Sequence, residues 1–292
     1  MQKNSVFLVF FTAFVLCSMN VTAQDKDLTI KQADSIMNAV DSKKYPRYKF
    51  TFYTGGLFSN LDGSIIVNGK TAAIGTKLDF EDNLGLTSYI TTYRLGGNYN
   101  ISRKSFLTGS FLVMNRTSSI ILTDSVKFGD YKYKANANFD FLLNFTYMGL
   151  NYGYNFIAKP QFTAGATIGL RLFRIRTSGS GSVTENNQTE SASFEETLFA
   201  PGLLVGLNNS VYFLPKLCGR SSMEYFSLKI GDIKASLFEV KMGLEYYFFK
   251  NLGVGIASLA YVLKINSESH DELNGQVLFD FKGLSLYLAA RF

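Results

Sequence analysis

The chain has 292 residues, 47% apolar and 15% aromatic, with 29 basic against 23 acidic side chains and a net charge of +6. The cations are dispersed, with no dense Lys/Arg run, which argues against nucleic-acid binding. One of the two cysteines falls in the leader described next, so a disulfide framework is excluded. Beyond residue 20 no stretch of 18 consecutive apolar residues occurs, so no transmembrane helix is expected after the leader.

Lys3, the apolar run Val6–Val15 and the small-residue end Val21-Thr22-Ala23 predict a secretory signal peptide over residues 1–23, cleaved before Gln24. Cys17 follows Leu16, where a lipoprotein signal needs a small residue. In residues 24–46, Ile30, Ala33, Met37 and Val40 recur at helical spacing between Lys31, Asp34, Asn38 and Asp41. They predict a short amphipathic helix in a periplasmic linker that ends at Pro46.

From Arg47 the period changes to two. Phe238, Val240, Met242, Leu244, Tyr246 and Phe248 alternate with Glu239, Lys241, Gly243, Glu245, Tyr247 and Phe249. Residues 161–172, 202–213 and 89–99 alternate in the same way. Runs of about 9–12 residues match a tilted strand crossing a bilayer. Ten such segments are expected: 47–58, 88–100, 104–116, 137–156, 161–176, 195–213, 219–230, 235–249, 252–265 and 275–292. The spacing also accommodates eight or twelve. The alternation slips in 139–156 and 276–284, where bulges are expected.

Connections at 101–103, 157–160, 214–218 and 250–251 are short, whereas 59–87, 117–136, 177–194 and 266–274 are long, with 231–234 the one short exception among the latter set. That asymmetry predicts a single all-β domain over residues 47–292, an antiparallel transmembrane β-barrel with both ends on the short-turn side. Aromatics beside the short turns, among them Tyr154, Phe156, Tyr246 and Phe249, suit an interfacial girdle. The non-apolar face is mostly Gly, Thr, Ser, Asn and isolated charges, so it is expected to face the lumen. Arg94, Arg171, Glu239, Lys241, Glu245 and Arg291 are the predicted lumen-lining charges. They either pair into a filling network or line a narrow water path.

The last strand places Leu284, Leu286, Leu288, Ala290 and Phe292 on one face. This resembles the C-terminal signature by which Gram-negative outer-membrane barrels are recognised by their assembly machinery. With the leader and the strand pattern, the chain resembles the small outer-membrane barrels of the OmpA-transmembrane and OmpW-like kind. The resemblance implies a cell outer-membrane location, and contact with membrane lipid and lipopolysaccharide.

Two groups towards the long-loop end invite chemistry. Asp79, Glu81 and Asp82 lie in the acidic segment 75–86, where they suit either a cation bridging lipopolysaccharide phosphates or a loop cap. Arg174 and Arg176 sit at the outer end of a strand on the lipid side, where they suit either lipopolysaccharide phosphate contacts or simple anchoring of the strand at the interface. His270, the only histidine, sits in a polar segment with Ser267, Ser269, Asp271 and Glu272, and matches no catalytic motif. The Ser/Gly/Thr/Asn-rich residues 177–194 read as an exposed flexible loop. No cofactor or metal motif is present. Three functions are expected in this order: a narrow passage for small solutes or small apolar molecules, a structural or surface-interaction barrel, and a lipid-modifying enzyme.

Overall fold

The computed structural model describes residues 45, 47–68, 77–128, 131–133, 135–185, 188–268 and 274–292. The predicted leader, the linker helix and His270 lie outside these residues. Thirteen strands are formed in chain order: β1 (Phe50–Val67), β2 (Lys77–Asp79), β3 (Tyr89–Asn100), β4 (Ser105–Ile121), β5 (Val126–Phe128), β6 (Tyr131–Tyr133), β7 (Asn138–Ala158), β8 (Phe162–Glu185), β9 (Gln188–Leu214), β10 (Leu217–Ile230), β11 (Ile233–Tyr246), β12 (Leu252–Glu268) and β13 (Asn274–Arg291). Ten of them, all but β2, β5 and β6, pair antiparallel in sequence order, and β13 pairs back onto β1. The result is a closed ten-stranded barrel, with every stave hydrogen-bonded on both sides in the region that would meet lipid. Phe50 and Phe292 exchange backbone bonds of 2.9 and 2.8 Å and complete the seam.

Alternation decides which face each residue takes, and its parity holds along most staves. The chemistry of the two faces does not hold. On β8 the outward residues run Ile168, Leu170, Leu172 and then Arg174, Arg176; the inward ones run Thr163, Thr167, Arg171 and then Phe173, Ile175. β11 turns over between outward Phe238 and Ser236 and between inward Glu239 and Leu237. β13 does so between outward Leu284 and Lys282 and between inward Ser285 and Phe281. At one height, therefore, the wall changes from apolar outside and polar inside to polar outside and apolar inside. Below that height the outward apolar stretch is about 9–11 residues per stave, the length a tilted strand needs to cross a bilayer. Above it the barrel is patterned like a soluble one.

This corrects the expectation of a polar lumen throughout. It also corrects the reading of residues 177–194 as a loop, because β8 and β9 stay paired from Phe162↔Val211 up to Glu185↔Gln188. Their Ser, Gly and Thr residues are wall residues of the extension above the membrane. One expected bulge exists, with a register shift at Asn155/Ile157 in β7. The other does not: β13 pairs without a break with both β12 and β1. The slip in 276–284 is the change of face chemistry.

The outer half of the lumen is a packed core. Phe80, Phe279, Phe145, Phe173 and Phe226 form a chain of ring contacts with centroid separations of 5.4, 5.4, 6.0 and 5.9 Å. Phe279 on β13 and Phe145 on β7 stand four staves apart and still touch, so the chain crosses the lumen. Segment 77–86 folds down onto this core, burying Leu78, Phe80, Leu84 and Leu86.

Candidate functional site: the lumen cavity on the short-turn side

Beneath the aromatic core lies a cavity of about 260 Å³ that reaches from Arg47 and Tyr48 at the short-turn mouth to Arg171 and Glu239 in mid-barrel. All six predicted lumen charges project into it. Sequence reading missed other polar members, among them Arg220, Glu224 and Asn151, although Arg220 and Glu224 share the even parity of β10 with Ser222 and could have been found by it.

Two layers of charge line the walls. In the upper layer Arg171 pairs with Glu224 and donates to Asn151 Oδ1 at 2.7 Å, while Asn151 Nδ2 donates to Glu224 Oε1 at 2.9 Å. The Arg171 guanidinium lies 5.2 Å from the Tyr147 ring centroid. Gly149, the cross-strand partner of Arg171 on β7, leaves it room: a Cβ there would collide with the guanidinium. Arg94 on β3 reaches across the lumen to Glu239 on β11 at 3.9 Å. In the lower layer Glu245 accepts from Arg220 Nε at 3.0 Å and from the hydroxyls of Tyr247 and Tyr287 at 2.8 and 3.3 Å. Arg291 donates to the Lys250 carbonyl at 3.0 Å and packs on the rings of Tyr247 and Tyr48. Buried charges persist only when paired or hydrogen-bonded, and most of these are.

The other predicted residues lie elsewhere. Glu81 pairs with Arg116 at 2.9 Å, and Arg116 also donates to the Thr87 carbonyl. Asp79 pairs with Lys77 at 3.2 Å and its amide donates to Asn83 Oδ1 at 2.8 Å, while Asp82 is exposed. No group of three His, Cys, Asp or Glu side chains among the described residues is placed to hold a metal ion. Arg176 pairs with Glu195 at 2.9 Å, and Arg174 lies over the Phe199 ring at 5.7 Å; both point outward just above the apolar band. Leu284, Leu286, Leu288 and Phe292 face outward on the last stave.

A closed ten-stranded barrel with an apolar outer band and a charged lumen defines the class as the small outer-membrane β-barrel. No family model and no curated protein matches the chain. Among solved structures it is similar to the outer-membrane protease OmpT from Escherichia coli, with a TM-score of 0.50 and 10% identity over 83% of this chain and 96% of that one. It is also similar to the translocator domain of the autotransporter NalP from Neisseria meningitidis, with a TM-score of 0.39 and 13% identity over 90% and 96%. A third is the Pseudomonas putida toluene transporter TodX, with a TM-score of 0.35 and 8% identity over 86% and 92%. The likeness to OmpT bears on the fold alone and leaves the role to the chain's own residues.

Proposed function

We propose that the protein is a Gram-negative outer-membrane barrel that is closed at rest and works at the cell surface by binding. The observation that carries this reading is the Phe279–Phe145 contact across the lumen, part of an aromatic core contributed by the staves themselves. Moving the 77–86 cap aside would leave that core in place.

The surface offers a specific binding feature. β9 pairs with β10 only as far as Val205↔Tyr225, yet β9 begins at Gln188. Residues 188–204 therefore present a long backbone edge on the side away from β8, and such an edge is a template for strand addition by an extended peptide. Outward Arg174, just above the apolar band, suits contact with lipopolysaccharide phosphates, and the outward Leu284, Leu286, Leu288 and Phe292 suit the assembly machinery.

The purified barrel in planar lipid bilayers should show no stepwise conductance, and discrete channel openings of the wild-type protein would overturn the reading. One observation supports the alternative, a gated passage for small solutes: the polar cavity already forms the lower half of a path. The same recording decides between them.

A further inference from the structure

The charges around the short-turn cavity do not balance. Its lining includes the carboxylates Glu224, Glu239 and Glu245, against the cations Arg47, Arg94, Arg171, Arg220, Lys241 and Arg291. Each carboxylate already has its guanidinium: Arg171 on Glu224, Arg94 on Glu239, Arg220 on Glu245. Arg47 is exposed at the mouth, and Arg291 is fixed by a backbone carbonyl and two tyrosine rings. Lys241 has no ion pair and no hydrogen bond among the described residues.

Lys241 sits on the inward face of β11, between Glu239 and Glu245, opposite Ser222 on β10 and Leu259 on β12. Filling space does not require a cation there, since this barrel fills the rest of its lumen with Phe and Leu. An ammonium set beside two guanidiniums is repelled by them, and a counter-charge relieves that cost. The nearest carboxylates, Glu239 and Glu224, both attract it, but each is already bound to a guanidinium, so Lys241, Arg94 and Arg171 outnumber them by one. Donors gather around the same space: the hydroxyls of Ser222 and Thr167 line it, and the Thr167 hydroxyl is buried with no partner. Hydroxyl donors lining the same cavity as an ammonium suit the several acceptor oxygens of an oxyanion. The volume is below the range of drug-sized ligand pockets, which restricts the guest to a small solute.

We propose that the cavity is a binding site for a small solute bearing a phosphate or carboxylate group, which enters from the short-turn mouth and seats its oxyanion on the Lys241 ammonium. The site needs no opening of the aromatic core above it, so it stands whether the barrel is closed or gated.

The test is isothermal titration of the folded barrel, in a non-ionic detergent, with inorganic phosphate and separately with succinate. Sodium chloride of matched ionic strength is the blank. Saturable one-to-one binding of phosphate or succinate is expected, weakened at least tenfold in Lys241→Gln and retained in Lys241→Arg. Lys264→Gln, on the outward face of β12, should bind as wild type. Heat-modifiable migration in SDS gels reports whether each variant is folded. As a second readout, the bound anion should raise the thermal midpoint of the wild type and leave that of Lys241→Gln unmoved. Absence of saturable binding by both anions, equal binding of chloride, or undiminished binding in folded Lys241→Gln would overturn the proposal. If Lys241→Gln fails to fold, the decision falls to the wild-type titration and to Lys241→Arg, whose loss of binding would also count against it.

Discussion

Glu224 on β10 and Glu239 on β11 stand directly opposite each other across the sheet, both buried and both facing the lumen. Like charges so placed repel, and a sheet tolerates them only when cations intervene. Arg171 supplies one from β8, and Arg94 another from the far side of the barrel.

Arg171→Ala should therefore be among the most damaging single changes. It leaves Glu224 buried without its cation, next to Glu239, at a cost of roughly 3–5 kcal/mol. Denaturant titration of the folded fraction in lipid or detergent measures this. Adding Glu224→Gln to Arg171→Ala should recover most of the loss, because the orphaned charge is then gone.

Much of the architecture is legible in the sequence, and for one reason. A strand's period of two survives any change of environment, so the staves and most of their inward parity are readable from alternation, although the count stays open between eight, ten and twelve. What alternation does not disclose is which solvent each face meets. Phe139, Phe141 and Phe145 look misplaced only if the lumen is assumed polar along its whole length. Residues 177–194 look like a loop because Ser, Gly and Thr are common to loops and to strand walls standing in water. The pairing of Arg94 with Glu239 joins residues far apart in sequence and on near-opposite staves, so no local pattern points to it.

The aromatic core should contribute as a soluble protein's core does. Phe145→Ala removes a ring that contacts both Phe173 and Phe279 and should cost about 3–5 kcal/mol, with Phe145→Leu costing less. Equilibrium unfolding compares the two. If Phe145→Ala were as stable as wild type, the ring would not be packed in the lumen.

Arg116 latches the cap through Glu81 and the Thr87 carbonyl. Arg116→Ala should release it. Chymotrypsin cleavage after Phe80, whose ring is fully buried in the intact protein, should then rise severalfold while the staves stay protected. Mass spectrometry of the fragments locates the cut, and unchanged protection of Phe80 would mean the latch holds nothing.

Removing Phe292 deletes the backbone exchange with Phe50 that completes the seam, together with the aromatic end of the last stave. The truncated chain should yield less of the fast-migrating folded form, and yield it more slowly, in unheated SDS gels. Phe292→Tyr keeps both the backbone bonds and a ring, and should assemble normally.

The simultaneous turnover of both faces has a consequence for anything that approaches the long-loop end of the barrel. The outer segment shows a visitor the side of a wall as well as the tips of loops. On such a side only every second residue is visible: Asp140, Arg174 and Arg176 are displayed, and their chain neighbours are hidden within. A partner must read letters drawn from several staves at once, so a peptide copied from any one of them would carry the spelling without the word.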